Sequence, residues 1–185
     1  MTDFEQLNPV FYDCEASSLD GFPIEIGCAC VDASKTMTSE SHLIAPDRSW
    51  DVRGSWERRA ERLHGIALET LLTTGESTID VAKRMNDRLA DRQLFADSSY
   101  DETWILQLFD SAGITPKFAI RRMLSDVLVR QFAASRRIGP DAYMELLAQT
   151  RLLWPPTHRA GPDARYWAHA WLAIMRNTPL QVPHD

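Results

Sequence analysis

The order of apolar and polar positions predicts strands first and helices after. Val10-Phe11-Tyr12 is an apolar run that stops at Asp13 and Glu15, giving a first strand over residues 10–15. Gly21-Phe22-Pro23 makes a turn. In residues 23–31, Ile24, Ile26, Cys28 and Cys30 then alternate onto one face of a second strand. Residues 36–45, carrying Met37, Leu43 and Ile44, read as a third. Short turns join these three, so they predict an antiparallel meander. Residues 46–54 read as a loop, and helical character follows in 55–64, 66–72 and 76–89. In the last of these, Ile79, Val81, Ala82, Met85 and Leu89 recur at helical spacing. Gln93-Leu94-Phe95-Ala96 is a short buried strand, placed parallel to the first by a right-handed crossover. Residues 101–112 put Trp104, Ile105, Leu108 and Phe109 on one stripe that Gly113 closes. A fifth strand is centred on Phe118-Ala119-Ile120. Residues 124–134, 141–152 and 161–176 are helical, the last with Pro162 in its first turn after the stiff break Trp154-Pro155-Pro156-Thr157. Three strands, then alternating helix and strand, then helices, define an α/β layer architecture with a mixed sheet.

The length of 185 residues suits one domain, expected over residues 9–176, between a loose lead-in at 1–8 and a tail at 177–185. No apolar run approaches the roughly 20 residues of a membrane helix, and residues 1–9 do not have the pattern of a secretory leader. The three cysteines, Cys14, Cys28 and Cys30, cannot all pair, and a spacing of i, i+2 suits neither a disulfide framework nor a zinc site. They read as small core residues of a reduced, cytoplasmic protein. A net charge of −6 argues against a broad grip on long duplexes, while leaving room for an enzyme that holds a few nucleotides over bound cations.

Candidate chemistry begins at the end of the first strand. Residues two apart in a strand share a face, so Asp13 and Glu15 point one way and Cys14 the other, into the body. Two neighbouring carboxylates repel unless a proton or a cation lies between them, and hard oxygen donors suit Mg²⁺ or Mn²⁺. The alternative is an exposed strand end with two solvated acids. Two distant stretches bear on the choice: Asp97-Ser98-Ser99-Tyr100-Asp101, and His158-Arg159-Ala160-Gly161-Pro162-Asp163.

With Asp13-x-Glu15 these form an ordered series: Asp-x-Glu, then Asp, then His-x-x-x-x-Asp. From about Val10 to about Trp171 the chain resembles the DEDDh exonucleases, which include the polymerase III proofreading subunit, ribonuclease T and oligoribonuclease. The resemblance implies a ribonuclease H-like three-layer fold, with strands one to three antiparallel, later strands parallel to the first, and helices on the flanks. It implies a two-metal-ion 3′→5′ exonuclease acting on single-stranded DNA or RNA ends, releasing nucleoside 5′-monophosphates, with oligoribonuclease-like action on short RNA as the main variant. A non-catalytic nucleic-acid-binding or scaffold protein that keeps the fold is the competing reading. The presence of all five site residues weighs against it. Several relatives pair, which leaves a homodimer open.

Residue by residue, the resemblance makes Asp13, Glu15, Asp101 and Asp163 the carboxylates that hold two divalent ions, Mg²⁺ or Mn²⁺. It makes His158 the general base, a role suited to an imidazole titrating near pH 6.5. Glu15 also lies near the terminal 3′-OH, with the Ala16 amide contacting that hydroxyl and Leu19 as an apolar wedge at the last bases. Asp97 reads as a helix cap or as a group orienting a neighbour. Glu25, alternating away from the isoleucines, reads as a surface acid. His64 is read as structural, and Trp50, Trp56 and Trp104 as candidates for base stacking, with Trp104 more at home in the core. Arg58/Arg59/Arg62, Arg121/Arg122 and Arg136/Arg137 are phosphate-contact candidates. Where relatives often carry Thr-Gly this chain has Ser17-Ser18. Gly161 stands where a larger apolar residue is common, which predicts a looser loop before the last helix.

Overall fold

A computed structural model describes Phe4 and residues 6–176; the predicted tail, like residues 1–3 and 5, lies outside the described residues. Three strands open the fold: β1 (Val10–Ala16), β2 (Pro23–Val31) and β3 (Met37–Leu43). Four helices follow, α1 (Val52–Ser55), α2 (Arg58–His64), α3 (Leu68–Thr74) and α4 (Thr78–Leu89), so the predicted loop at 46–54 holds one helical turn. Next come β4 (Gln93–Ala96), α5 (Ser99–Ala112), β5 (Ala119–Arg121), α6 (Ser125–Ser135), α7 (Pro140–Leu153) and α8 (Ala160–Arg176). The five strands lie in the order β3-β2-β1-β4-β5. β1 pairs antiparallel with β2 and parallel with β4, which places β1 at the centre. This is the α/β mixed sheet predicted from the pattern.

Alternation along β1 feeds two cores. Val10, Tyr12 and Cys14 pack with Val81, Met85 and Leu89 of α4 and with Ile105, Leu108 and Phe109 of α5. Phe11 faces the other way, with Phe132 of α6 and Trp167 and Trp171 of α8. Burying an aromatic side chain such as Phe11 contributes about 1.5–3 kcal/mol. Phe4 also joins this second layer, its ring 5.6 Å from Phe132 and 6.4 Å from Trp171, so part of the expected loose lead-in is packed. The three cysteines are buried and free.

Register decides what meets α8. Asp13 lies opposite Gly27, and Glu15 opposite Glu25. Directly opposed residues share a face, so Glu25 and Gly27 lie on the acid-bearing side. Gly27 is where the last helix touches down. A Cβ there would stand 2.3 Å from the Ala160 carbonyl carbon and 2.4 Å from the Gly161 nitrogen. Gly161 also lies close to its neighbour, since a Cβ on it would meet Ser41 Cβ at 3.0 Å. This glycine therefore tightens the docking of α8 on β3, correcting the looser loop expected from sequence.

Gly27→Ala should push the start of α8 off the sheet. We expect a loss of about 1–3 kcal/mol in urea unfolding, with the m-value kept, as overpacking of a close contact costs.

Candidate active site

The acid pair and its distant partners meet at the C-terminal end of β1. Asp13, Glu15 and Asp163 each offer a carboxylate oxygen such that all three atoms lie within 4.8 Å of one another. Among the described residues they form the one group of three such donors placed to hold a metal ion. β1 supplies two because its side chains alternate, and the first turn of α8 supplies the third. Asp163 Oδ1 accepts a hydrogen bond from the Thr157 backbone N–H at 2.7 Å, so it also ties down the segment entering its own helix.

Asp101 stands at the margin of this group. It is 1 % exposed and completes a capping box at the start of α5 with Ser98. One oxygen accepts from the Cys14 N–H at 3.2 Å and the other from the Ser98 N–H at 2.9 Å. The carboxylate thus staples α5 to β1 between the two other acids of that strand. Its charge is the largest electrostatic influence on Asp13 after burial itself. The N-cap of α5 is Ser98, which removes that role from Asp97. Asp97 instead accepts from the Trp167 indole, one helical turn beyond Asp163.

His158 is exposed, on the loop before α8, with φ +54. That is the left-handed region, uncommon for a residue with a side chain. Its charge acts on Asp163, but its ring lies outside the three-acid group.

The electrostatics are those of crowded acids. Burial, then Asp101, Glu15 and Asp163, hold the Asp13 carboxyl well above the ordinary range. Burial, then Asp163, Glu25 and Asp101, push Glu15 up to about 8, and Arg159 only partly opposes this. Burial pushes Asp101 up to about 7 despite its two backbone donors, and raises Asp163 despite the Thr157 amide. A cluster of hard oxygen donors that repel one another and lack a nearby matching cation fits one or more divalent ions; Asp13, Glu15 and Asp163 would hold them, with Asp101 alongside.

Glu25 overturns its reading as a surface acid. It is 1 % exposed and is gripped by the Arg159 fork, with Nε to Oε2 and Nη2 to Oε1 both at 2.8 Å. Ser41 Oγ donates to Oε1 at 2.7 Å and the Ala160 N–H to Oε2 at 3.0 Å. Burial would raise its carboxyl, but the bonds from Arg159, Ser41 and Ala160 more than offset that and hold it below the usual value. Sequence reasoning missed this pair. The available signal was an acid on the Asp13–Glu15 face and an arginine directly after His158.

Beside Glu15 a cavity of about 340 Å³ is lined by Ala16, Leu19, Leu63 and Trp104, among others. Leu19, which lines it, is 63 % exposed. Trp104 is buried and stacks on Tyr100 at 5.8 Å, both as core residue and as cavity wall. Arg59 lines the same cavity. Trp50 and Trp56 are used structurally instead. Trp50 stacks on Phe22 at 4.9 Å and donates to Ser111, and Trp56 donates to Glu61. His42 is paired with Glu76 at 2.8 Å, and His169 stacks on Trp154 at 3.6 Å, which gives both histidines structural partners. Arg121 and Arg122 line two cavities at the β5 edge, and none of the three acids is among the residues lining either one.

The fold is that of the ribonuclease H-like exonucleases. Three solved structures show the likeness. Exonuclease I of E. coli, in a zinc-ion-bound complex with single-stranded DNA, superposes with a TM-score of 0.66 at 17% identity, over 92% of this chain and 41% of that one. Exonuclease X in complex with 5′-overhanging duplex DNA matches with a TM-score of 0.53 at 21% identity, over 94% of this chain and 95% of that one. The cell-death related nuclease CRN-4 matches with a TM-score of 0.61 at 15% identity, over 93% and 65%. All three are nucleases, and the resemblance read from the motifs holds at the level of the fold. The chain spans about two fifths of the length of exonuclease I. No family model matches it, and no curated protein does. No helix among the described residues is long and apolar enough to cross a membrane.

The raised carboxyls predict an inverted pH response of the metal-free protein. An acid that is harder to ionise when folded favours the folded state at low pH and loses that contribution as pH rises through its folded value. With a chelator present, stability should therefore fall between about pH 4, the unfolded range, and about 8, the folded Glu15 value. Thermal unfolding across this window checks it. Mn²⁺ should flatten the slope, and Asp13→Asn should raise the midpoint in chelator at pH 8.

Proposed function

We propose that the protein is a divalent-cation-dependent 3′→5′ exonuclease that removes nucleoside 5′-monophosphates from single-stranded nucleic-acid ends. The observation that carries this reading is the convergence of Asp13, Glu15 and Asp163 within 4.8 Å, on a fold shared with solved exonucleases. The donor set suits two Mg²⁺ or Mn²⁺ ions, with Asp101 completing the ligands by a change of its side-chain hydrogen bonds. Ions seated there would offset phosphate charge and make an attacking water more acidic.

The chain's own residues do the rest. The cavity beside Glu15 receives the terminal nucleotide, its base against Leu63 and Trp104 and its sugar toward Ala16 and Glu15. Leu19 enters between the last bases and keeps the end single-stranded. The terminal hydroxyl accepts from the Ala16 N–H and faces the free oxygen of Glu15. His158, on its exposed loop, takes a proton from the attacking water. The bond that breaks is the one between phosphorus and the 3′-oxygen of the preceding nucleotide, so the released unit keeps its 5′-phosphate. The narrow cavity and the acidic surface favour short or frayed ends over intact duplex.

Purified protein with Mg²⁺ or Mn²⁺ should shorten 5′-labelled single-stranded DNA or RNA from the 3′ end, one nucleotide at a time. The relative rates on the two polymers decide the sugar preference. Removal of a positioned base typically costs about 10²–10⁴-fold, and His158→Ala should fall in that range. Asp13→Ala should lose at least as much. Either variant cutting at the parental rate would reject the assignment.

A further inference from the structure

We infer that the pair formed by buried Glu25 and half-exposed Arg159 is the positioning device for His158: it clamps the loop that carries the imidazole onto the sheet face that carries the acids. The inference rests on the nuclease reading given above.

Four donors fill the Glu25 carboxylate: both arms of the Arg159 fork, Ser41 Oγ and the Ala160 N–H. A carboxylate offers about four acceptor positions, so none is left for a cation or a substrate. Glu25 therefore does not act as a ligand, although it lies directly opposite Glu15 in the β1–β2 register. Three of the four donors come from Arg159 and Ala160, the two residues after His158. The residue before it, Thr157, is bound through its N–H to Asp163. His158 thus lies between two anchored neighbours, one tied to an acid of the site and one to the sheet, and its own N–H also reaches Asp163.

Two further features accord with this placement. His158 has φ +54, a conformation that other contacts must impose. Gly27, opposite Asp13, leaves the space into which the Ala160–Gly161 backbone fits. A side chain there would hold the loop away from the acids. Arginine suits the clamp because its planar fork fixes direction as well as charge, which a lysine ammonium does not. The pair acts on the reaction by positioning His158; its opposite charges act on Glu15 in opposite directions, and the double variant removes both together.

The test compares the parent with Arg159→Lys, and with a double variant, Glu25→Gln with Arg159→Met, which removes both charges and so leaves no buried unpaired acid. Mn²⁺ alone, bound at the acids, should broaden the His158 ring-proton NMR signals in the parent, and this broadening should weaken in both variants. A misplaced catalytic group commonly costs up to about 10²-fold, so kcat should fall about 10–100-fold. KM and Mn²⁺ affinity should stay within about threefold, as expected when only transition-state interactions are lost. Parental kcat in a folded double variant would overturn the inference. Full rescue by Arg159→Lys would also overturn it, because charge rather than the fork would then be the requirement. A parent that binds Mn²⁺ but cuts no substrate would reject the nuclease reading instead, and the His158 signals would still report on the clamp.

Discussion

Mutual repulsion among carboxylates is the constraint around which this chain is built. Asp13, Glu15, Asp101 and Asp163 come from one strand and two helices, and Asp101 and Asp163 make both acids of the strand harder to ionise. Left to themselves, such groups would move apart into water. They stay because the surrounding backbone gives none of them that freedom. Asp101 is held by two amides, Asp163 by the Thr157 amide, and the β1 pair by the ladder of a central strand. The sheet core and its two helical layers serve to hold like charges at a spacing that a cation, and not solvent, resolves. The cost in stability is accepted at one strand end and offset across two apolar cores.

The same logic explains the contrast between Glu15 and Glu25. They lie opposite each other and are the same residue type, yet one carboxyl is pushed up to about 8 and the other is held low. The difference is the company each keeps. Glu25 has a guanidinium fork, a hydroxyl and an amide, while Glu15 faces other acids. One sheet face therefore carries an acid neutralised by its donors beside one that is not.

Much of this was legible in the sequence, because strand alternation and helical stripes leave direct marks. β2 and β4 were read at their observed bounds, and Asp13 and Glu15 were placed on one face from their spacing alone. The order Asp-x-Glu, Asp, His-x-x-x-x-Asp pointed to convergence before any fold was at hand. What stayed hidden depended on pairing across the chain. Glu25 looked like a surface acid because nothing local says that Arg159, more than a hundred residues later, covers it. Gly161 looked like a source of slack because its neighbour Ser41 lies on another strand. Trp50 and Trp56 looked available for bases because Phe22, Ser111 and Glu61 were not known to meet them.

The descent of α8 onto β1 and β2 has a temporal side. Asp163 and the loop bearing His158 belong to the helix that follows every strand of the sheet, while Asp13 and Glu15 belong to the strand that precedes them all. During synthesis the early strands must wait, with Phe11 and the Asp13–Glu15 edge uncovered, until that helix emerges and closes over them. The three acids gather only when that helix docks, so a chain still short of α8 presents Asp13 and Glu15 without their third carboxylate.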